Sequence, residues 1–222
     1  SLILADGVTL TLNKLKLYNT IQCEGNARII LSEGSTNLIN LSERPDLAGI
    51  KVGPSGKFVL SGNGSLEIIT GEHGAGIGYN KTAGTTYGDI EIQGGTLSIQ
   101  AGYAAPGIGF GGKGGNITIS GGDITTLGGW CAPGIGTTYG GSCKDITISG
   151  GSVVAVGNEV AAGIGTGELS TCGNILITKD VVSVTAQKGV NGSESIGVGD
   201  NSEEVYGCGT ITIEDPSKVT QR

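Results

Sequence analysis

Residues 106–122 read Pro-Gly-Ile-Gly-Phe-Gly-Gly-Lys-Gly-Gly-Asn-Ile-Thr-Ile-Ser-Gly-Gly, and residues 133–151 repeat the phrase as Pro-Gly-Ile-Gly-Thr-Thr-Tyr-Gly-Gly-Ser-Cys-Lys-Asp-Ile-Thr-Ile-Ser-Gly-Gly. Two markers recur in phase. The first is the Gly-Ile-Gly tetrad at Ala75–Gly78, Pro106–Gly109, Pro133–Gly136 and Ala162–Gly165, with degenerate copies at Ala48–Lys51 and Ser195–Gly197. Counted on isoleucine, with Ile21 as a faint first copy, the registers are Ile21, Ile50, Ile77, Ile108, Ile135, Ile164 and Ile196, spaced 27 to 32 residues apart. The second is an alternating Ile-x-Ile: Ile90/Ile92, Ile117/Ile119, Ile146/Ile148, Ile175/Ile177 and Ile211/Ile213. In the clearest copies Gly-Gly and another alternating stretch follow, such as Leu97/Ile99.

Alternation with period 2 turns one face of each piece inward, and no helical 3.6 pattern appears. A unit of three short strands cannot bury its own apolar face, so it must stack on its neighbours. The repeat therefore predicts an all-β, right-handed parallel β-helix, a solenoid of about eight coils of about 29 residues with three strands per coil. Coils spaced by about 4.8 Å would make a rod of roughly 38 Å. One domain spans 1–222, and it reads as a fragment of a longer chain.

Composition agrees with this reading. Of 222 residues 44 are glycine, far above an ordinary domain, yet no Gly-X-Y period suggests collagen. Glycine suits corners that need a positive φ or a close backbone approach. A net charge of −7 without a basic cluster argues against nucleic acid as a partner. No apolar run is long enough to span a bilayer.

The Gly-Ile-Gly and Asn/Asp-Ile-Thr-Ile-Ser-Gly-Gly phrases together resemble glycine-rich repeat regions of large surface proteins from gut Clostridia and related Gram-positive bacteria. The resemblance covers about residues 48–199. It implies an extracellular, cell-surface location and an adhesin or carbohydrate-binding role, with a glycan or host surface ligand as partner and other domains of the same chain alongside. The reading taken here is a secreted, non-catalytic module that presents loops on a rigid scaffold. The alternative is a polysaccharide-acting enzyme of the pectin lyase kind, suggested by fold analogy alone.

Candidate chemistry is sparse. The single histidine, His73, has no serine or cysteine nucleophile beside it, and Lys113, Lys144 and Lys179 do not converge with acids. Glu203 and Glu204 read as a solvated charge pair. No cofactor or metal is expected. An Asx column, Asp89, Asn116, Asp145 and Asn174, reads as turn-capping side chains rather than a calcium rail. Thr118, Ser120, Thr147 and Ser149 form a hydroxyl grid only two coils wide, too narrow for an ice-binding surface.

Of five cysteines, Cys143, Cys172 and Cys208 fall at the same place in their coils, which allows one disulfide within that column. The odd count argues against a disulfide framework, and reduced cysteines filling a corner are the favoured state, with Cys23 free.

The ligand site is expected on the aromatics. Five residues before successive register isoleucines stand Glu72, Tyr103, Trp130 and Glu159, so two aromatics flanked by two carboxylates should share a column. An aromatic pair with nearby acceptors suits the apolar face and hydroxyls of a sugar. Tyr79 and Phe110, two residues after their isoleucines, form a second column at the other end of the same short strand.

Overall fold

The computed structural model describes residues 1–79, 86–200 and 206–222. Every strand pairing among them is parallel, and the strands form three eight-stranded sheets and one two-stranded sheet, Thr171–Cys172 beside Gly207–Cys208. The coil of Ile135 shows the pattern: Ile135–Thr137 lies in the Gly-Ile-Gly sheet, Ile146–Ile148 in the Ile-x-Ile sheet, and Ser152–Val156 in the third. The chain is thus a parallel β-solenoid with three strands per turn.

The register follows the sequence markers. Ile77, Ile108, Ile135, Ile164 and Ile196 pair in succession, as do Ile90, Ile117, Ile146 and Ile175. All of these side chains are buried, and they form the continuous core of the rod. Each fully buried isoleucine contributes about 1.5–3 kcal/mol. Stacking like on like lets the same rotamer and the same branched shape repeat along the axis.

The two ends depart from the repeat. A coil begins before Ile21, with Leu2 pairing to Ile21, and its Val8–Leu12 strand pairs to Ala27–Leu31. At the other end the chain turns once more into the third sheet. Asp215 caps a short 3₁₀ turn, Pro216–Lys218, and Val219–Gln221 then joins the third sheet beside Ser183–Gln187.

The Asx column holds successive coils together instead of capping turns within one. Asp89 Oδ1 accepts the amide of Asn116 at 2.7 Å, Asn116 that of Asp145 at 3.3 Å, Asp145 that of Asn174 at 2.8 Å, and Asn174 that of Thr210 at 2.9 Å. The same bond links Asp6 to Asn26 and Asn26 to Lys57. Each side chain so satisfies the next coil's first N–H, where a corner interrupts the ladder.

The cysteine column does contain a bridge. Cys172 and Cys208 are disulfide-bonded with a Cα separation of 4.5 Å, while Cys23, Cys131 and Cys143 are free. The all-reduced expectation is corrected on this point: parallel pairing of Cys172 with Cys208 brings the two Cα atoms within disulfide range.

Burial pushes the Cys23 and Cys143 thiols up to about 12. Unfolded thiols ionise near their ordinary value of 9.0, so between that pH and about 12 the folded state holds protons that the unfolded state has lost. Stability is expected to fall as pH rises through this window. Denaturant midpoints measured across it for the native chain and for a Cys23→Ala/Cys143→Ala variant should converge at high pH, and parallel curves would refute the linkage.

Candidate functional site

The predicted column exists, and it is built from turns. Hydrogen bonds from Gly74 N to Gly71 O, Ala105 N to Gly102 O, Ala132 N to Gly129 O and Ala161 N to Asn158 O close four stacked β-turns. Glu72, Tyr103, Trp130 and Glu159 hold the second position of each. The residue after them is left-handed in three coils, at His73 (φ 58), Ala104 (φ 54) and Cys131 (φ 52). In the fourth turn Glu159 itself is left-handed, at φ 55, and its carboxylate accepts a hydrogen bond from Asn191 Nδ2 at 2.6 Å.

Tyr103 and Trp130 are 49% and 45% exposed, with ring centroids 5.3 Å apart and planes 2° from parallel. That distance is too short for rings lying side by side in one plane. The pair is offset-stacked, so each ring turns one face to the other and the two do not form a continuous flat platform. His73 packs edge-on against Tyr103 at 5.8 Å, and its Nε2 stands 3.8 Å from Glu72.

Trp130 also borders a cleft of about 330 Å³. His73, Trp130, Tyr139 and Glu168 wall it, over a floor of Ala104, Gly111, Cys131 and Thr138. The two corners flanking Ile135–Thr137 converge here, the Thr138 hydroxyl donating to the Cys131 carbonyl at 3.4 Å. Tyr139 is 55% exposed and sits at the second position of its own turn, closed by Gly141 N to Thr138 O at 2.8 Å with Gly140 at φ 67. Trp130 and Tyr139 are therefore matched turn-borne aromatics on opposite corners of one coil. Glu168 occupies the place of Tyr139 in the next coil, given the pairing of Thr137 with Thr166.

The electrostatics of the cleft are negative. Burial raises the Cys131 thiol above its ordinary value, the Glu168, Glu159 and Asp200 carboxylates raise it further, and a backbone hydrogen bond with Val160 opposes them. The thiol on the floor is held protonated and is a poor nucleophile.

The second aromatic column is corrected. Phe110 is fully buried in the core, and the face of Gly114 lies against its ring. Tyr79 is half-buried, packed at 4.7 Å against Tyr87 with Lys51 Nζ 4.7 Å above its ring. A residue two positions after an inward isoleucine shares its face, so the alternation itself points Phe110 inward. Phe110 has no surface to offer a ligand, and Tyr79 belongs to the same structural cluster.

Tyr139 and Glu168 were missed by sequence reasoning, because they sit in corners of variable length and carry no repeating residue type. Glu203 and Glu204 lie outside the described residues. A larger depression of about 410 Å³ near Tyr18 and Arg44 is lined otherwise by Asn40, Ser42 and Glu43, without a second aromatic. The Ser120 and Ser149 hydroxyls turn back onto the carbonyls of Ile92 and Ile119 at 3.4 and 3.5 Å. No helix among the described residues is long and apolar enough to cross a membrane. No family model, curated protein or solved structure matches the chain.

Proposed function

We propose that this protein is a non-catalytic glycan-binding or adhesin module of an extracellular cell surface, a stiff rod that presents the Trp130 cleft to a sugar. The observation that carries the reading is a half-exposed tryptophan, backed by a stacked tyrosine, standing across an apolar cleft from a second exposed aromatic. Such a pair suits pyranose rings, whose faces are apolar and whose edges carry hydroxyls. Glu168 and the Glu159 carboxylate are acceptors for those hydroxyls. A rigid scaffold lowers the ordering cost of binding, since the backbone of the turns that carry Trp130 and Tyr139 is hydrogen-bonded to both neighbouring coils.

The test is a glycan array followed by calorimetry on the best ligand with Trp130→Ala and Tyr139→Ala. Each substitution is expected to weaken binding at least tenfold, about 1.4 kcal/mol, while the unfolding midpoint stays near that of the native chain. A Trp130→Ala variant that binds as the native protein does, or that loses stability and keeps its affinity, would make the aromatic stack a structural device and end this reading.

A further inference from the structure

Carboxylates outnumber the one titratable base of the cleft, His73, whose Nε2 stands 3.8 Å from Glu72. Glu72 and Glu159 flank the aromatic pair along the rod axis, about 14 Å apart over three coil steps. Glu168 stands on the opposite wall. Asp200 follows Glu168 in the same column one coil later, because Gly165 pairs with Gly197. Among the described residues, no lysine or arginine lines the cleft. Among the described residues, neither Glu159 nor Glu168 takes part in an ion pair.

Resting on the glycan reading above, we propose that the cleft selects sugars with free amino groups, glucosamine-type oligomers, over N-acetylated sugars and over uronates. Three physical effects act together. An ammonium beside Trp130 gains a cation–π contact with the indole. The same ammonium donates charge-assisted hydrogen bonds to Glu168 or Glu159. A uronate carboxylate meets mainly like charge, in a corner where Glu168, Glu159 and Asp200 all act on the Cys131 thiol. The aromatic wall supplies what a free lysine side chain cannot use as fully, an apolar ring-sized surface next to the acids. This separates an amino sugar from a basic peptide as the ligand.

Titration calorimetry of the native protein with four probes tests the selection: a β-linked glucosamine tetramer, its fully N-acetylated counterpart, a galacturonate tetramer and tetralysine. The amino tetramer is expected to bind at least tenfold tighter than the acetylated one, and the preference should shrink as salt rises. Glu168→Gln should weaken binding of the amino tetramer by a larger factor than binding of the acetylated one, so that the preference falls, with circular dichroism confirming the fold. Equal or tighter binding of the acetylated tetramer or the uronate overturns the charge selection and leaves the glycan reading standing. Tetralysine binding as tightly as the amino tetramer, and surviving Trp130→Ala, overturns the choice of a sugar. Silence from all the sugars, here and on the array, removes both.

Discussion

Gly136→Ala is expected to cost about 3–5 kcal/mol, a large part of a net stability of about 5–15 kcal/mol. Gly136 has φ 136, a region that side-chain-bearing residues rarely enter, and a Cβ there would stand 1.8 Å from the carbonyl oxygen of Gly165. That oxygen cannot withdraw. It belongs to the next coil's equivalent glycine, locked in register by the pairing of Ile135 with Ile164 and Gly136 with Gly165. The same conformation recurs at Gly78, Gly109, Gly165 and Gly197, so relief at one level transfers the strain to the next. Gly34→Ala is the control: φ is 66, but nothing lies within 4 Å of its Cβ position, and the expected loss is only about 1–2 kcal/mol. Guanidinium unfolding of the two variants separates the cases. Similar midpoints would show that the glycine column is dispensable.

The second large effect falls in the interior of the third sheet. Asn37 is fully buried, in a column otherwise filled by Leu66 and Leu97. Its Oδ1 accepts the Leu15 amide at 2.9 Å, and its Nδ2 donates to Ser35 Oγ at 2.9 Å and to the Ser65 carbonyl at 3.0 Å. One side chain thus joins three coils, where the short strand Lys16–Leu17 leaves the Leu15 amide without a strand partner. Asn37→Ala is expected to lose about 2–4 kcal/mol, because backbone groups would be left buried and unpaired. Asn37→Leu, which restores the apolar column, should not recover that loss. A leucine variant as stable as the native chain would mean that volume, not hydrogen bonding, decides this position.

Much of the fold was legible because a solenoid repeats its physics along one dimension. Ile77, Ile108, Ile135 and Ile164 occupy one environment, so the chain places one residue type there. The first coil escaped the tetrad count because Leu2 stands where Ile21 and Ile50 stand in the next two coils, without the Gly-Ile-Gly marker. Asn37 escaped for the opposite reason: it answers a single missing strand partner, and nothing periodic announces that.

The candidate site divides along the same line. Its Tyr103–Trp130 column could be counted from the isoleucines, since both residues sit in turns of constant offset. The Cys143, Cys172 and Cys208 column could be counted too, but the choice of Cys172 and Cys208 as the bridged pair belongs to the folded chain.

By itself, then, the amino-acid sequence determined the coil, its period, its inward face and the residues stacked in each column, because every one of these follows from alternation and register. Tertiary structure alone decided how the two aromatic rings lie, that Tyr139 and Glu168 face Trp130, and that the cleft exists. The corner that carries Tyr139 has no period: its length varies from coil to coil, and its side chains meet those of the Trp130 corner only after the strand between them is paired. The convergence of Cys131 and Thr138 across one short strand is a contact between two such corners, set by the path of the folded backbone and not by spacing along the chain.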